Sequence, residues 1–274
     1  MIPNLQNQQL IAKGGQKEVY LAEHTDFGQV VFKKVFTSQD SIERTKREVR
    51  AVTLLDSPNV PKIFSHNCEE DMPDFLWVLE EYVEGLTLRE TILNGRKYDI
   101  KSIVNFIDIM LNIAILSEKR RLVHRDIKPE NIIIDSNDKF WLLDFGIARH
   151  LDLESITQSN APFGVFTLGY ASSEQFRNFK KDIDIRTDMF SIGIVAYEMS
   201  TGINPYRQGT SDPLMILRNM ERVSLPPLRI VGDAQFQLSG FISLIGDIRR
   251  TRRPRTAVEA KIIFENVKNT LILV

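Results

Sequence analysis

Cysteine is almost missing from this 274-residue chain. Cys68 is the sole example, which excludes an internal disulfide and any thiolate-rich metal site and suits a reducing compartment. Histidine is scarce too, and His24, His66, His124 and His150 show no metal-ligand spacing. Neither sign of charge dominates: 35 basic residues face 36 acidic ones, so nothing global argues for nucleic acid or an anionic membrane as the main partner. No basic-then-apolar leader opens the chain, and the most apolar stretch, IVNFIDIMLNIAIL at 103–116, is shorter than a membrane span needs and carries Asp108. The expectation is a soluble, cytoplasmic protein with no membrane segment. Fixed-period repeats and low-complexity tails are missing as well, and nothing sets the oligomeric state.

The length exceeds what one modest core needs, so one large domain or two lobes are expected. Residues 10–36 read as an antiparallel meander, because LIAKGGQKEVYLAEH alternates around a glycine turn and GQVVFKKVF is β-branched and aromatic. A helix over 41–55 follows, with Ile42, Val49, Val52 and Leu55 near helical spacing and Ser57-Pro58-Asn59 as its stop. KIFSHN and FLWVLEEYV supply two further strands. After Gly85 the pattern turns helical, with helices predicted at about 87–94, 100–121, 185–201, 211–222, 236–247 and 256–270, interrupted by one β-hairpin. The predicted fold is α+β and bilobal: a small β-rich N-lobe with one helix over 1–84, a hinge near 80–85 and a larger helical C-lobe over 85–274. A crevice between two such lobes is the natural ligand site.

LVHRDIKPENIIIDSNDKFWLLDFGIAR, residues 122–149, carries the strongest chemical signal. NIIID and KFWLLD are apolar strands separated by the turn residues Ser136, Asn137 and Asp138. Folded as a hairpin, they return Asp144 to the neighbourhood of Asn131 and Asp126. Two hard oxygen ligands at the end of a hairpin suit Mg²⁺, which prefers carboxylates plus substrate phosphates to an all-protein cage. Asp126 is left for other work.

These motifs resemble the eukaryotic-type protein kinases, most closely the Ser/Thr branch found in bacteria, whose motif set and phosphoryl-transfer chemistry are well-characterised templates. The resemblance covers nearly the whole chain and implies the protein kinase fold, ATP and Mg²⁺ as cofactors, and protein substrates phosphorylated on Ser or Thr. By that resemblance Asp126 is the base that accepts the substrate hydroxyl proton, Asn131 and Asp144 are the metal ligands, and Lys128 sits against the transferring phosphate. VVFKKV places Lys33 at the α- and β-phosphates, with Glu48 of the following helix as its ion-pair partner. VLEEYVEGLTL is similar to the hinge, so the backbones of Glu81 and Val83 are expected at the adenine edge and Gly85 at the turn. Asp188 would brace the catalytic loop, and Glu174 would pair with Arg253 in an otherwise solvated arginine cluster at 249–255.

Three departures from the family pattern stand out. In AKGGQKEVY the three glycine positions are Ala12, Gly14 and Lys17, aligned on Val19, so Gly14 and Gly15 alone supply close backbone approach to phosphates. Lys17 there puts a cation beside the triphosphate and is expected to reduce loop mobility without abolishing binding. Glu80 replaces a usually apolar residue before the hinge, and burial would be costly unless it bonds a nearby polar group; it is expected to narrow the adenine pocket against bulky inhibitors. Ser172-Ser173-Glu174 and Phe166 depart from the usual peptide-docking segment. Between Asp144 and Glu174 the hydroxyls of Ser155, Thr157, Ser159 and Thr167 are available for autophosphorylation, with Thr157 and Ser159 preferred and Arg125 a candidate phosphate receiver. The alternative is a pseudokinase-type nucleotide-binding scaffold; intact Lys33, Asp126 and Asp144 favour an enzyme.

Overall fold

The structure, a computed structural model, describes residues 3–14, 17–36, 46, 49–50, 52–70, 75–145, 166–179 and 181–272. Its N-lobe is a five-stranded antiparallel sheet in the order β1-β2-β3-β5-β4, formed by β1 (Leu5–Lys13), β2 (Lys17–His24), β3 (Gly28–Val35), β4 (Ile63–His66) and β5 (Leu76–Glu81). Side-chain alternation gives the sheet two unlike faces. Ala22, Val30, Phe32, Trp77 and Leu79 cluster on one. Val35, Leu76 and Val78 pack on the other against Val49 of the N-lobe helix and Cys68, and Lys33 and Glu80 share that second face. Burial pushes the Cys68 thiol up to about 11, which makes it a core side chain instead of a reactive one.

β1 begins five residues earlier than predicted, because its QNQQ stretch hides an edge strand that needs no apolar face. Leu10 and Ile11 on it are 47 % and 50 % exposed, so the expected alternation does not produce burial there. Residues 46, 49–50 and 52–53 are helical, within the helix expected over 41–55.

The C-lobe contains α1 (Leu88–Leu93), α2 (Ile100–Lys119), α3 (Ser173–Phe176), α4 (Ile185–Thr201), α5 (Pro213–Arg222), α6 (Gln237–Ile245) and α7 (Ala257–Lys268). Their starts follow local capping chemistry: Thr87 and Glu90 form a reciprocal capping box, Asp99 accepts from Ser102 N at 2.8 Å, and Thr256 accepts from Glu259 N at 3.0 Å. α4 is the axis of the lobe, buried along nearly its whole length and packed against α2 and α6.

With 20 residues, α2 is long and apolar enough to cross a membrane by length and composition, longer than the sequence stretch suggested. Over half of its apolar window, 56 %, is buried inside this molecule, as expected for a core helix. Asp108 on it is paired with Lys261 at 2.8 Å and Lys268 at 2.6 Å of α7, which docks the two helices.

The C-lobe also carries a second, three-stranded sheet of β6 (Leu86–Thr87), β7 (Ile132–Ile134) and β8 (Phe140–Leu142). The β7–β8 turn is shaped by Asp135, whose Oδ1 accepts from Asn137 N at 2.8 Å and Lys139 N at 3.1 Å. Gly85 admits this sheet: a Cβ there would lie 2.3 Å from the Ile134 carbonyl oxygen. Close approach, more than turning, is what requires glycine.

Candidate active site

The hairpin brings the chemical residues together. Ile132 pairs with Leu142, and Leu143 N donates to Asn131 O at 2.8 Å, so Asp144 leaves the second strand beside the start of the first. Asn131 Nδ2 then donates to the Asp126 carbonyl at 2.9 Å and to Asp126 Oδ2 at 3.1 Å. Asp126, Asn131 and Asp144 are therefore joined through one hydrogen-bonded turn. Arg125 and Asp144 both hold left-handed backbone conformations, φ 65° and 57°, a strained geometry that persists only where its surroundings enforce it.

Two buried groups do the enforcing. Asp188 on α4 accepts from His124 N and Arg125 N, each at 2.8 Å, which fixes the loop before Asp126. Burial raises the pKa of its carboxyl, an effect that the two backbone donors partly offset. His124 ties the loop to the hairpin. Its Nδ1 accepts from Asp126 N at 3.2 Å, so the ring proton sits on Nε2, which donates to Leu143 O at 2.8 Å. Burial lowers its pKa and keeps the ring neutral.

Asp126 is also engaged from the front. Lys128 Nζ lies 3.0 Å from Asp126 Oδ2, Thr167 Oγ1 donates to Asp126 Oδ1 at 2.9 Å, and Lys128 Nζ donates to Thr167 Oγ1 at 3.2 Å. Thr167, counted among the available hydroxyls in the sequence, is thus committed to the carboxylate that would handle the substrate proton. The Thr157 and Ser159 preferred for modification, together with Ser155, lie outside the described residues, as do Glu48 and Gly15.

A chain of four charges runs across the cleft. Glu80 Oε2 lies 2.6 Å from Lys33 Nζ, Lys33 Nζ lies 2.5 Å from Asp144 Oδ1, and Lys17 Nζ lies 3.1 Å from Asp144 Oδ2. Burial works to lower the Lys33 pKa, but the Asp144 and Glu80 carboxylates overcome it and hold the ammonium charged. The same logic runs in reverse at Asp144: burial favours protonation, and Lys33 and Lys17 hold the carboxyl well below the usual range. Glu80 is buried against a nearby polar group, as its position required. Lys34, on the opposite strand face, lies over the Tyr20 ring.

Around this chain the remaining predicted residues take their places. Val19 is buried and pairs directly with Lys33 across β2 and β3, whereas Ala12, its partner on β1, is exposed. Gly14 closes the β1–β2 turn by donating to Lys17 O at 2.7 Å. A Cβ on Gly14 would meet only that oxygen, at 3.8 Å, so the chain's own packing does not demand glycine there. At the hinge Glu81 N donates to Lys62 O at 2.8 Å. That bond commits the Glu81 N–H within the lobe and leaves its carbonyl as the backbone group expected at the adenine edge. Val83 is buried.

The donor set fits magnesium arriving with a nucleotide. Asp144 offers a carboxylate whose two oxygens already attract cations, and Asn131 commits its amide nitrogen to Asp126, which makes the amide oxygen its ligand atom. Among the described residues no group of three or more His, Cys, Asp or Glu could hold a metal ion by itself, so phosphate oxygens would have to complete the shell.

A family model described as protein kinase domain matches residues 5–243. The chain belongs to the protein kinase family. It is 34 % identical over 230 residues to the probable serine/threonine-protein kinase PknB of Bifidobacterium longum, covering 80 % of this chain and 33 % of that protein. A probable serine/threonine-protein kinase of Clostridium acetobutylicum is 31 % identical over 268 residues, 96 % of this chain and 39 % of that one. Serine/threonine-protein kinase PrkC of Bacillus subtilis is 33 % identical over 217 residues, 77 % of this chain and 32 % of that one. The kinase domain here thus spans a third to two fifths of the length of these relatives.

Further from the cleft, the kinase domain holds its predicted Glu174–Arg253 pair at 2.6 Å with both side chains buried. Arg253 also donates to Asp247 O and Arg186 O and lies over the Phe190 ring. The arginine cluster is more structural than expected, since Arg250 pairs with Asp182 at 2.8 Å and Asp184 at 3.0 Å. Sequence reasoning missed a second network, in which Arg89 of α1 reaches Glu130, Glu198 and the Tyr170 hydroxyl. Its one local signal was an arginine inside an amphipathic turn. Gln175 was missed as well; it donates to Arg125 O at 2.7 Å and locks α3 onto the catalytic loop.

Proposed function

We propose that this chain catalyses in-line transfer of the γ-phosphoryl group of ATP to serine or threonine hydroxyls of protein substrates. The supporting observation is the single hydrogen-bonded unit of Asp126, Asn131 and Asp144, coupled to Lys33 from the opposite lobe. In this reading Asp126 Oδ1, which accepts a hydroxyl hydrogen bond from Thr167, is oriented to accept one from a substrate hydroxyl and to take its proton as the new bond forms. Lys128 stands beside Asp126 and offsets charge that builds up on the transferring group. Lys33, held charged, orients the α- and β-phosphates, and Val19 with the Glu81 carbonyl and Val83 frames the adenine. Bound Mg²⁺, held by Asn131 and Asp144, would neutralise charge on the β- and γ-phosphates. The acceptor lysine position, Lys128, resembles the Ser/Thr branch, and the relatives named as serine/threonine-protein kinases support the same specificity. We extend the proposal to autophosphorylation at Thr157 or Ser159, to be read by mass spectrometry of the active protein.

Incubation with labelled ATP and Mg²⁺ tests the reading. Wild-type protein is expected to transfer label to itself or to a basic protein substrate. Asp144→Ala is expected to lose transfer by about a thousandfold, in the range seen for lost transition-state charge stabilisation. Nucleotide-dependent melting shifts in the wild type without any transfer would overturn it in favour of a scaffold.

A further inference from the structure

We propose that Glu80 is the resident positioning residue of Lys33, a role that protein kinases assign to a glutamate on the N-lobe helix. The inference rests on the kinase reading above and concerns which carboxylate keeps the nucleotide-contacting lysine aligned.

Geometry favours the sheet as the source of that carboxylate. β3 and β5 are adjacent and antiparallel, with Lys33 opposite Val78 and Val31 opposite Glu80. Glu80 is therefore a diagonal neighbour of Lys33 on one face of one sheet, a relationship that long side chains bridge and that no helix movement can break. Lys33 Nζ and Glu80 Oε2 stand 2.6 Å apart, with side chains 10 % and 11 % exposed. A carboxylate that deep is costly unless paired, and removal of its partner would leave a buried charge uncompensated. Among the described residues, Glu80 and Asp144 are the carboxylates that contact Lys33. They differ in permanence. Asp144 belongs to the other lobe and would be recruited as a metal ligand, whereas Glu80 and Lys33 sit on adjacent strands of one sheet. An ammonium has three N–H donors, so these two carboxylates still leave one for a phosphate oxygen.

Charge balance carries the same conclusion. A glutamate added behind the phosphate site would weaken nucleotide binding unless offset, and Lys17, at a position where kinases carry glycine, brings a positive charge to the far end of the same ion chain. The two departures from the family pattern cancel in charge at one site.

The consequence is that alignment of Lys33 does not depend on Glu48. Four full-length proteins test this: wild type, Glu80→Gln, Glu48→Gln and the double variant, with Glu80→Met as a second replacement should the glutamine variant fail to fold, and melting temperature as the folding control. Steady-state kinetics give kcat and the KM for ATP, and calorimetry gives the Kd for ADP in metal-free buffer. Glu48→Gln is expected to stay within about threefold of wild type in kcat, while Glu80→Gln drops kcat by about tenfold or more, the scale of one lost charge-assisted contact. ADP is expected to bind Glu80→Gln as tightly as wild type or more tightly, because the freed ammonium grips ground-state phosphates without being aligned for transfer. A side chain that only packs would instead lower the melting temperature and raise KM and Kd together. The double variant is expected to match Glu80→Gln within the same threefold, because independent effects multiply. Near-complete loss in Glu48→Gln with near-normal kcat in Glu80→Gln would overturn the inference, as would weaker ADP binding in Glu80→Gln with unchanged kcat. Failure of the wild type to transfer phosphate would instead sink the kinase reading, and the ADP arm would still report on the Glu80–Lys33 pair.

Discussion

Glu174 shows how one buried side chain sets the chemistry of its surroundings. Burial alone would raise its pKa, but Arg253 at 2.6 Å overcomes that and holds the carboxyl below its ordinary value of 4.5. A depressed folded-state pKa stabilises the fold above the unfolded value, and that contribution disappears as pH falls through the folded value. Glu174→Gln leaves the Arg253 guanidinium buried without its counter-ion and is expected to cost about 3 to 5 kcal/mol at pH 7. The stability gap between wild type and variant, followed by urea unfolding, should stay constant above pH 5 and narrow below about 4.5; a gap that widens in acid would contradict the assigned pair. Single residues were legible in the sequence where they stood in a contiguous motif, as Asp126, Asn131 and Asp144 do. The Lys17–Asp144 contact was not, because its partners are separated by 127 residues and nothing local marks either one for the other.

Elements follow the same division. The β7–β8 hairpin and the longer helices were legible because turn residues, caps and periodicity are local signals, and predicted helix limits mostly overshot by a few residues where fraying turns begin. β1 was half hidden because an exposed edge strand needs no apolar pattern, and α3 because four residues carry no periodicity. Helix packing, by contrast, is invisible until partners are known. Gly193 of α4 sits where a Cβ would lie 2.8 Å from Gly246 N and 2.9 Å from its Cα, so the helix approaches the end of α6 only as glycine. Gly193→Ala is expected to destabilise the fold by about 1 to 3 kcal/mol through overpacking. Gly240 in α6 faces open space, and Gly240→Ala should stabilise by about 0.5 to 1 kcal/mol from helix propensity and lost unfolded-state entropy. Opposite signs for the two substitutions in thermal unfolding are the expected outcome; equal signs would contradict the packing described.

At the scale of the whole molecule, an α+β protein of two lobes is joined by apolar packing of Val52, Leu55 and Val60 onto the C-lobe core and, at its cleft, by ions. Lys17 and Lys33 come from the sheet and Asp144 from the hairpin of the other lobe. The Lys17 contact is partly exposed, with side chains 23 % and 33 % accessible, so Lys17→Met should change overall stability by less than about 1 kcal/mol. Hydrogen exchange over residues 12–20 should nevertheless quicken, since the loop loses its tie to the other lobe; unchanged exchange there would mean the ion pair does not restrain it. Two lobes were legible from the switch in periodicity near Gly85, but the charge chain that joins them depends on register between β3 and β5 and on a turn from each lobe. The central claim is that the Asp126 carboxylate serves phosphoryl transfer to serine or threonine hydroxyls. Phosphoamino-acid analysis after incubation with labelled Mg·ATP tests it most directly, comparing wild type with the isosteric Asp126→Asn. Phosphoserine or phosphothreonine formed by the wild type and lost by at least about a hundredfold in the variant is the predicted result; equal labelling by both proteins, or label confined to tyrosine, would contradict it.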